Sequence, residues 1–265
     1  MNQIQEVFTN LKRENRAAFI PYITAGDPDL EKTGELIFTL QRSGADIIEL
    51  GVPFSDPIAD GPTIQRGSER ALRAKTTLTK IIALTKEIKK EVNVPLVLMS
   101  YYNPVLRFGL KRFGQEAKEA GIAGVIIPDL PPEEAEELIE EANQNELATI
   151  FFLAPTSTRE RIKLIDSVST GFIYYVSLTG ITGAREKLAE SLGPKMKEIK
   201  SLTKKPVAVG FGISTQEQVK EVSRLADGVI VGSAIVDKIE KYGQSRDLNK
   251  IVGEFVGSLS RGCKN

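Results

Sequence analysis

Glu49 ends the apolar run Ile47-Ile48-Glu49, and the loop that follows the next residue, Gly51 to Pro62, carries a second carboxylate at Asp60. A charge among Ile and Leu costs free energy unless it is paired, hydrogen-bonded or held neutral, so Glu49 is either a buried structural partner or a reactive acid. Strand alternation puts it on the side of Ile47. If that side is the interior of the fold, burial raises the pKa of Glu49. Asp60, in an Ala-Asp-Gly-Pro turn, is expected to stay more solvated and ionised, so the two would be tuned apart as proton donor and anion. Asp60 could equally be a turn former or the cap of a following helix. The chain has no histidine, so the usual general base near neutral pH and the commonest metal ligand are both missing. Proton transfer then falls to carboxylates, Lys, Tyr or backbone.

Two glycine-rich stretches, Gly210-Phe211-Gly212-Ile213-Ser214 and Gly228-Val229-Ile230-Val231-Gly232-Ser233-Ala234, have the make-up of a phosphate cradle. Glycine lets backbone N–H groups approach an anion, and a helix starting at Ser233 would aim its positive end there. The segment Ser177 to Arg185, rich in Gly and Thr, suits a hinged lid, although a solvated linker would have the same composition. Tyr22, Met99, Tyr101, Ile126 and Tyr175 fall near the ends of apolar runs and could form a slot for a flat ring; singly, each is ordinary core.

These groups must be positioned by about eight β-branched runs: Phe19–Ile23, Ile47–Leu50, Leu96–Ser100, Gly124–Ile127, Thr149–Leu153, Gly171–Val176, Pro206–Gly210 and Gly228–Gly232. Helix-period segments alternate with them at Leu30–Arg42, Leu78–Val92, Leu110–Ala120, Glu133–Asn143, Arg159–Val168, Leu188–Leu202, Gln216–Leu225 and Leu248–Leu259. Continuous apolar strands need cover on both faces, so the alternation predicts a single (β/α)8 TIM barrel over residues 1–265, with a doubly wound open sheet as the alternative. Ile4, Val7, Phe8 and Leu11 predict an extra N-terminal helix whose apolar stripe packs on the N-terminal mouth of the barrel. A barrel gathers its chemistry at the C-terminal ends of its strands, where the long loops 51–62 and 178–187 would meet.

Charge is balanced, with 35 basic and 35 acidic residues interspersed, which disfavours a nucleic-acid or membrane face and favours a small-molecule ligand. One cysteine, Cys263, precludes an intrachain disulfide and makes cysteine-based metal or redox chemistry improbable. No apolar run approaches the roughly 18 residues of a membrane span. The start lacks signal and transit features, so a cytoplasmic location is expected, or a plastid stroma for a plastid-encoded chain.

Taken in order, Glu49-Leu50-Gly51-Val52-Pro53-Phe54-Ser55-Asp56-Pro57, Ala59-Asp60-Gly61-Pro62-Thr63-Ile64-Gln65, Thr179-Gly180-Ile181-Thr182-Gly183, Gly210-Phe211-Gly212-Ile213-Ser214 and Gly232-Ser233-Ala234-Ile235-Val236 closely resemble the tryptophan synthase α subunits. The resemblance spans nearly the whole chain and implies a (β/α)8 barrel. It further implies a lyase of tryptophan biosynthesis that cleaves indole-3-glycerol phosphate to indole and glyceraldehyde 3-phosphate without metal or organic cofactor. Glu49 matches the family's acid/base, and Asp60 the group that holds the indole N–H. Thr182 matches the lid residue that contacts Asp60. Gly183, Gly212, Gly232 and Ser233 match phosphate-binding positions. Tyr22, Met99, Ile126 and Tyr175 match the ring pocket, with Tyr22 and Met99 of types that vary there. The implied partner is a pyridoxal-phosphate β subunit in an α2β2 heterotetramer, next to the loops around Asp56 and Thr179.

Other readings share parts of this pattern. A stand-alone indole-3-glycerol-phosphate lyase would use the same chemistry, and a phosphosugar isomerase or epimerase the same cradle; those related to ribulose-phosphate epimerase need metal-binding histidines, which this chain lacks. A non-catalytic phosphate-binding regulatory subunit would not need both Glu49 and Asp60.

Overall fold

The computed structural model describes residues 2–177, 185–210 and 212–264, except the side chains of 185–191. Nine parallel strands form one sheet: β1 (Ala18–Thr24), β2 (Ile48–Gly51), β3 (Leu96–Met99), β4 (Ile122–Ile126), β5 (Ala148–Ile150), β6 (Phe152–Leu153), β7 (Ile173–Val176), β8 (Val207–Gly210) and β9 (Gly228–Val231). The order runs β5-β4-β3-β2-β1-β9-β8-β7-β6. Because β5 and β6 are consecutive pieces of one segment broken at Phe151, the two edges of the sheet belong to the same stretch of chain and the barrel closes. The Phe151 carbonyl accepts from the Tyr174 N–H (3.0 Å) across the seam. The predicted fifth run is therefore split, and the nine strands fill eight barrel positions.

Alternation sorts each strand into two faces. Ala18, Ile20, Ile47, Val97, Ile126, Ala148, Ile150, Phe172, Ala208 and Ile230 pack inside the barrel; Phe19, Ile23, Ile48, Leu50, Leu98, Val125, Leu153, Ile173, Val209 and Val231 face the surrounding helices. Both sets are almost completely buried, which is why these runs read as continuously apolar.

Helix α1 (Gln3–Arg13) plugs the N-terminal mouth. Its start is fixed by a capping box between Asn2 and Gln5, and both side-chain amides donate to the Thr170 carbonyl at the base of β7 (3.0 and 2.8 Å). Ile4, Phe8 and Leu11 enter the interior cluster, where the rings of Phe8 and Phe172 lie 5.7 Å apart. The stripe predicted from the sequence thus closes the barrel floor.

Helices α2 (Leu30–Arg42) and α8 (Arg159–Val168) occupy the ranges read from the sequence, each begun by a side-chain cap, Asp29 and Thr158. Two helices lack an apolar period and are not legible from it. In α3 (Pro62–Arg73) the buried positions are Gly67, Ser68 and Ala71, small residues among arginines; α5 (Tyr102–Phe108) has only seven residues and contains Pro104. The segment expected as one helix over Glu133–Asn143 is a short 3-10 turn, Pro132–Glu134, followed by α7 (Glu136–Gln144). Helix α4 (Leu78–Ile88) stops before the charged stretch of the predicted range. The remaining helices are α6 (Leu110–Glu119), α9 (Arg185–Leu202), α10 (Gln216–Ser223), α11 (Ser233–Tyr242) and α12 (Leu248–Ser260). No helix among the described residues is long and apolar enough to cross a membrane. Cys263 is buried against the barrel, its thiol 4.0 Å from the Ala18 carbonyl of β1.

Removing the Phe8 ring leaves a cavity beneath the interior layers. Phe8→Ala is expected to lower the unfolding free energy by about 3–5 kcal/mol, read from the urea midpoint; an unchanged midpoint would place α1 outside the cooperative core.

Candidate active site

At the C-terminal ends of the strands the interior opens into a cavity of about 460 Å3, within the roughly 300–1,000 Å3 usual for small-molecule sites. Tyr22 (β1), Glu49 (β2), Met99 (β3), Phe152 (β6), Tyr174 and Val176 (β7) and Ile230 (β9) form its walls, with Ala59 to Ile64 along one rim and Gly212, Gly232 and Ser233 along another. Tyr22 and Glu49 are register partners, and Glu49 pairs in turn with Val97, so the acid sits in the topmost interior layer. Gly51 leaves room for this arrangement: a Cβ there would stand 2.0 Å from the Tyr22 hydroxyl. Gly210 does the same for Tyr174, at 2.6 Å.

Glu49 is 1% exposed, and neither carboxyl oxygen has a hydrogen-bond partner among the described residues. Burial, reinforced by the nearby negative charge of Asp60, pushes its pKa up to about 8. At neutral pH it is therefore mostly a neutral acid with its proton available to whatever fills the cavity. Asp60 differs in degree. The sequence suggested an aspartate left near its ordinary value, but partial burial lifts Asp60 to about 6, against a hydrogen bond donated by the Tyr101 hydroxyl (3.1 Å). It remains an anion at pH 7, and the two carboxyls are separated as donor and anion, though from a higher starting point.

Tyr101 does not line the cavity. Its hydroxyl accepts from the Ala59 N–H (2.9 Å) while donating to Asp60, and its ring stacks on Phe54 (5.2 Å between centroids), so it is a post behind the Asp60 loop. Ile126 is fully buried in the interior cluster and is not part of the cavity wall. Tyr175 is a correction: it faces outward with its register partners Leu153 and Val209, packed against helices. The neighbouring Tyr174 turns inward, on the face of Phe172, and tilts against Phe152 at 4.8 Å. Counting by twos from an interior Phe172 would have selected it. Thr182 and Gly183 lie outside the described residues.

Across the cavity, α11 starts at Ser233 with Gly232 as its N-cap and no side chain bonded there. Its first N–H groups have no intrahelical acceptor and sit at the positive end of the helix dipole. Gly212, at φ +67, brings a second turn to the same rim. The site therefore offers an apolar, aromatic-walled interior, a neutral acid, an anion beside a tyrosine, and an anion-accepting turn. No group of three or more His, Cys, Asp or Glu that could hold a metal ion occurs among the described residues.

Two outcomes follow from the carboxyl environments. Both folded-state pKa values exceed the ordinary ones, 4.5 for Glu49 and 3.8 for Asp60, so the folded state binds more protons and this contribution to stability is lost as pH rises through about 6 and then about 8. Glu49→Gln, which cannot ionise, should flatten the upper part of that decline and exceed the unmodified chain by on the order of 3–5 kcal/mol near pH 9 in urea titrations. Tyr101→Phe removes the bond that favours the Asp60 anion, and a carbon-13 carboxyl titration should find Asp60 raised further by about one unit.

The family model for the tryptophan synthase alpha chain matches residues 8–260. The tryptophan synthase alpha chain of Geotalea uraniireducens is 50% identical over 264 residues, covering 100% of this chain and 98% of that protein. That of Geobacter sulfurreducens is 49% identical over 265 residues, with full coverage of both. Among solved structures, tryptophan synthase subunit alpha from Legionella pneumophila superposes with a TM-score of 0.92 at 38% identity, covering 100% of this chain and 99% of that one. A chain of Mycobacterium tuberculosis tryptophan synthase does so with 0.91 at 36%, covering 100% and 99%. Shared sequence over the full length and a shared barrel agree, and the chain belongs to the tryptophan synthase alpha chain family.

Proposed function

We propose that the chain is the α subunit of tryptophan synthase and catalyses the retro-aldol cleavage of indole-3-glycerol phosphate to indole and glyceraldehyde 3-phosphate in tryptophan biosynthesis. The observation that carries the chemistry is Glu49, a buried carboxyl with no hydrogen-bond partner among the described residues and a raised pKa, facing a cavity of fitting size.

Indole is a poor leaving group as a carbanion, so C3 must be protonated before the bond to the side chain can break. Neutral Glu49 supplies that proton, giving an indolenine-type cation whose ring nitrogen is electron-poor. The Glu49 carboxylate then takes the proton of the side-chain hydroxyl next to the breaking bond. The O–H electrons form the aldehyde carbonyl, the C–C bond electrons return to the ring, and indole leaves with Glu49 protonated again. Asp60, an anion at pH 7, accepts the indole N–H and stabilises the positive charge while it exists. Gly212, Gly232 and Ser233 hold the phosphate, and Tyr22, Met99, Phe152 and Tyr174 enclose the ring.

The partner is the β subunit, in an α2β2 assembly that receives the indole. The location is the cytoplasm.

Indole release from indole-3-glycerol phosphate tests the reading. Glu49→Gln should lower kcat by about 10²–10⁴ fold and Asp60→Asn by about 10²–10³ fold. The kcat/KM profile should be bell-shaped, with an acid limb near 6 from Asp60 and a basic limb near 8 from Glu49. No indole from the unmodified chain, with or without a β subunit, would overturn the assignment.

A further inference from the structure

Helix α3 starts directly after Asp60 and Gly61, and α11 starts at the anion-accepting turn Gly232–Ser233. The two helices are tied together about two turns below their first residues. Arg70 of α3 is held bidentate by Asp27, Nε to Oδ1 and Nη2 to Oδ2, both at 2.8 Å, and its Nη1 lies 3.1 Å from Glu240 Oε1 of α11. Arg66, one turn earlier, donates to both oxygens of Glu240 (2.9 and 3.1 Å). Asp27 is 1% exposed and follows β1, the strand that carries Tyr22.

Backbone contact backs the ion pairs. A Cβ at Gly67 of α3 would lie 3.1 Å from Val236 Cγ1 of α11, 3.0 Å from Thr24 Oγ1 of β1 and 3.2 Å from Asp27 Oδ2. The α3 backbone at Gly67 is thus pressed directly onto side chains of its two neighbours. Packing alone would not require arginines on that face, since a buried ion pair is weak evidence for stability; a bidentate guanidinium instead fixes direction and distance.

We infer that Arg70, held between Asp27 and Glu240, is a positioning residue that sets the separation of the Asp60 segment from the anion-accepting turn of α11. The inference rests on the reading that one substrate bridges these two places. A ligand that occupies both at once feels their separation, whereas a ligand occupying either alone does not.

The test compares three probes on the full chain: an indole joined to phosphate by a three-carbon chain, glycerol 3-phosphate, and indole. Arg70→Ala, Glu240→Gln and Gly67→Ala are compared with the unmodified protein, with folding checked by circular dichroism. Gly67→Ala keeps every charge and shifts α3 by a few tenths of an ångström, so the test survives if Arg70→Ala fails to fold. Each folded variant should weaken the bridging probe by about ten-fold while glycerol 3-phosphate and indole change by less than about two-fold. Arg70→Lys should recover only part of the loss, because a point charge cannot reproduce the planar fork. Equal weakening of all three probes, or unchanged binding of the bridging probe in the folded variants, would overturn the inference. Failure of the unmodified chain to bind the bridging probe would overturn the substrate reading, and the positioning role with it.

Discussion

The burial of one unpartnered carboxyl is the constraint on which this molecule is organised. Glu49 occupies the top interior layer of the barrel, below a mouth that can be filled, and neither oxygen meets a donor among the described residues. Leaving such a group buried is costly as an anion and tolerable as a neutral acid, so the surroundings that destabilise its charge are the same ones that keep its proton ready. A hydrogen-bond donor beside it would relieve the cost and remove the reactivity. The phenols nearby do not relieve it among the described residues: Tyr22 and Tyr174 share the cavity wall with Met99 and Phe152 without bonding Glu49, the Tyr22 hydroxyl lies 3.4 Å from Thr24 Oγ1, and Tyr101 is spent on Asp60 and Ala59.

The rest of the barrel can be read as support for that layer. Closure through the split fifth segment leaves no open edge to admit water between strands, and α1 seals the floor with Ile4, Phe8 and Leu11. Gly51 and Gly210 give two tyrosines room at the rim without widening it. Asp60 sits on a segment with a different attachment. A rigid strand end carries the proton, whereas the anion rides on a loop whose position depends on Tyr101 behind it and on α3 after it.

Much of this was legible because the relevant signals are periodic. Continuous apolar runs alternating with helix-period segments specify a parallel barrel, and the alternation that places Glu49 with Ile47 follows from strand geometry alone. What was not legible lacked a period or depended on counting phase. Helix α3 packs with Gly67, Ser68 and Ala71, which carry no hydrophobic signal, and nothing in the sequence pairs its Arg70 with Asp27 and Glu240. Tyr175 and Tyr174 are adjacent aromatics in a strand buried on both faces, so composition could not choose between them; only the phase set by Phe172 does. Asp60 was placed in solvent by its turn residues, whereas the tertiary fold covers it enough to raise its pKa.

The account is most directly tested by titrating Glu49 itself, using the infrared carbonyl band of its protonated carboxyl in the ligand-free chain and taking the difference from Glu49→Gln. The band should persist at neutral pH and disappear with a midpoint near 8, which is the value burial imposes. A midpoint near the ordinary 4.5 would mean that Glu49 is ionised in the resting site, and the neutral-acid mechanism built on it would be wrong.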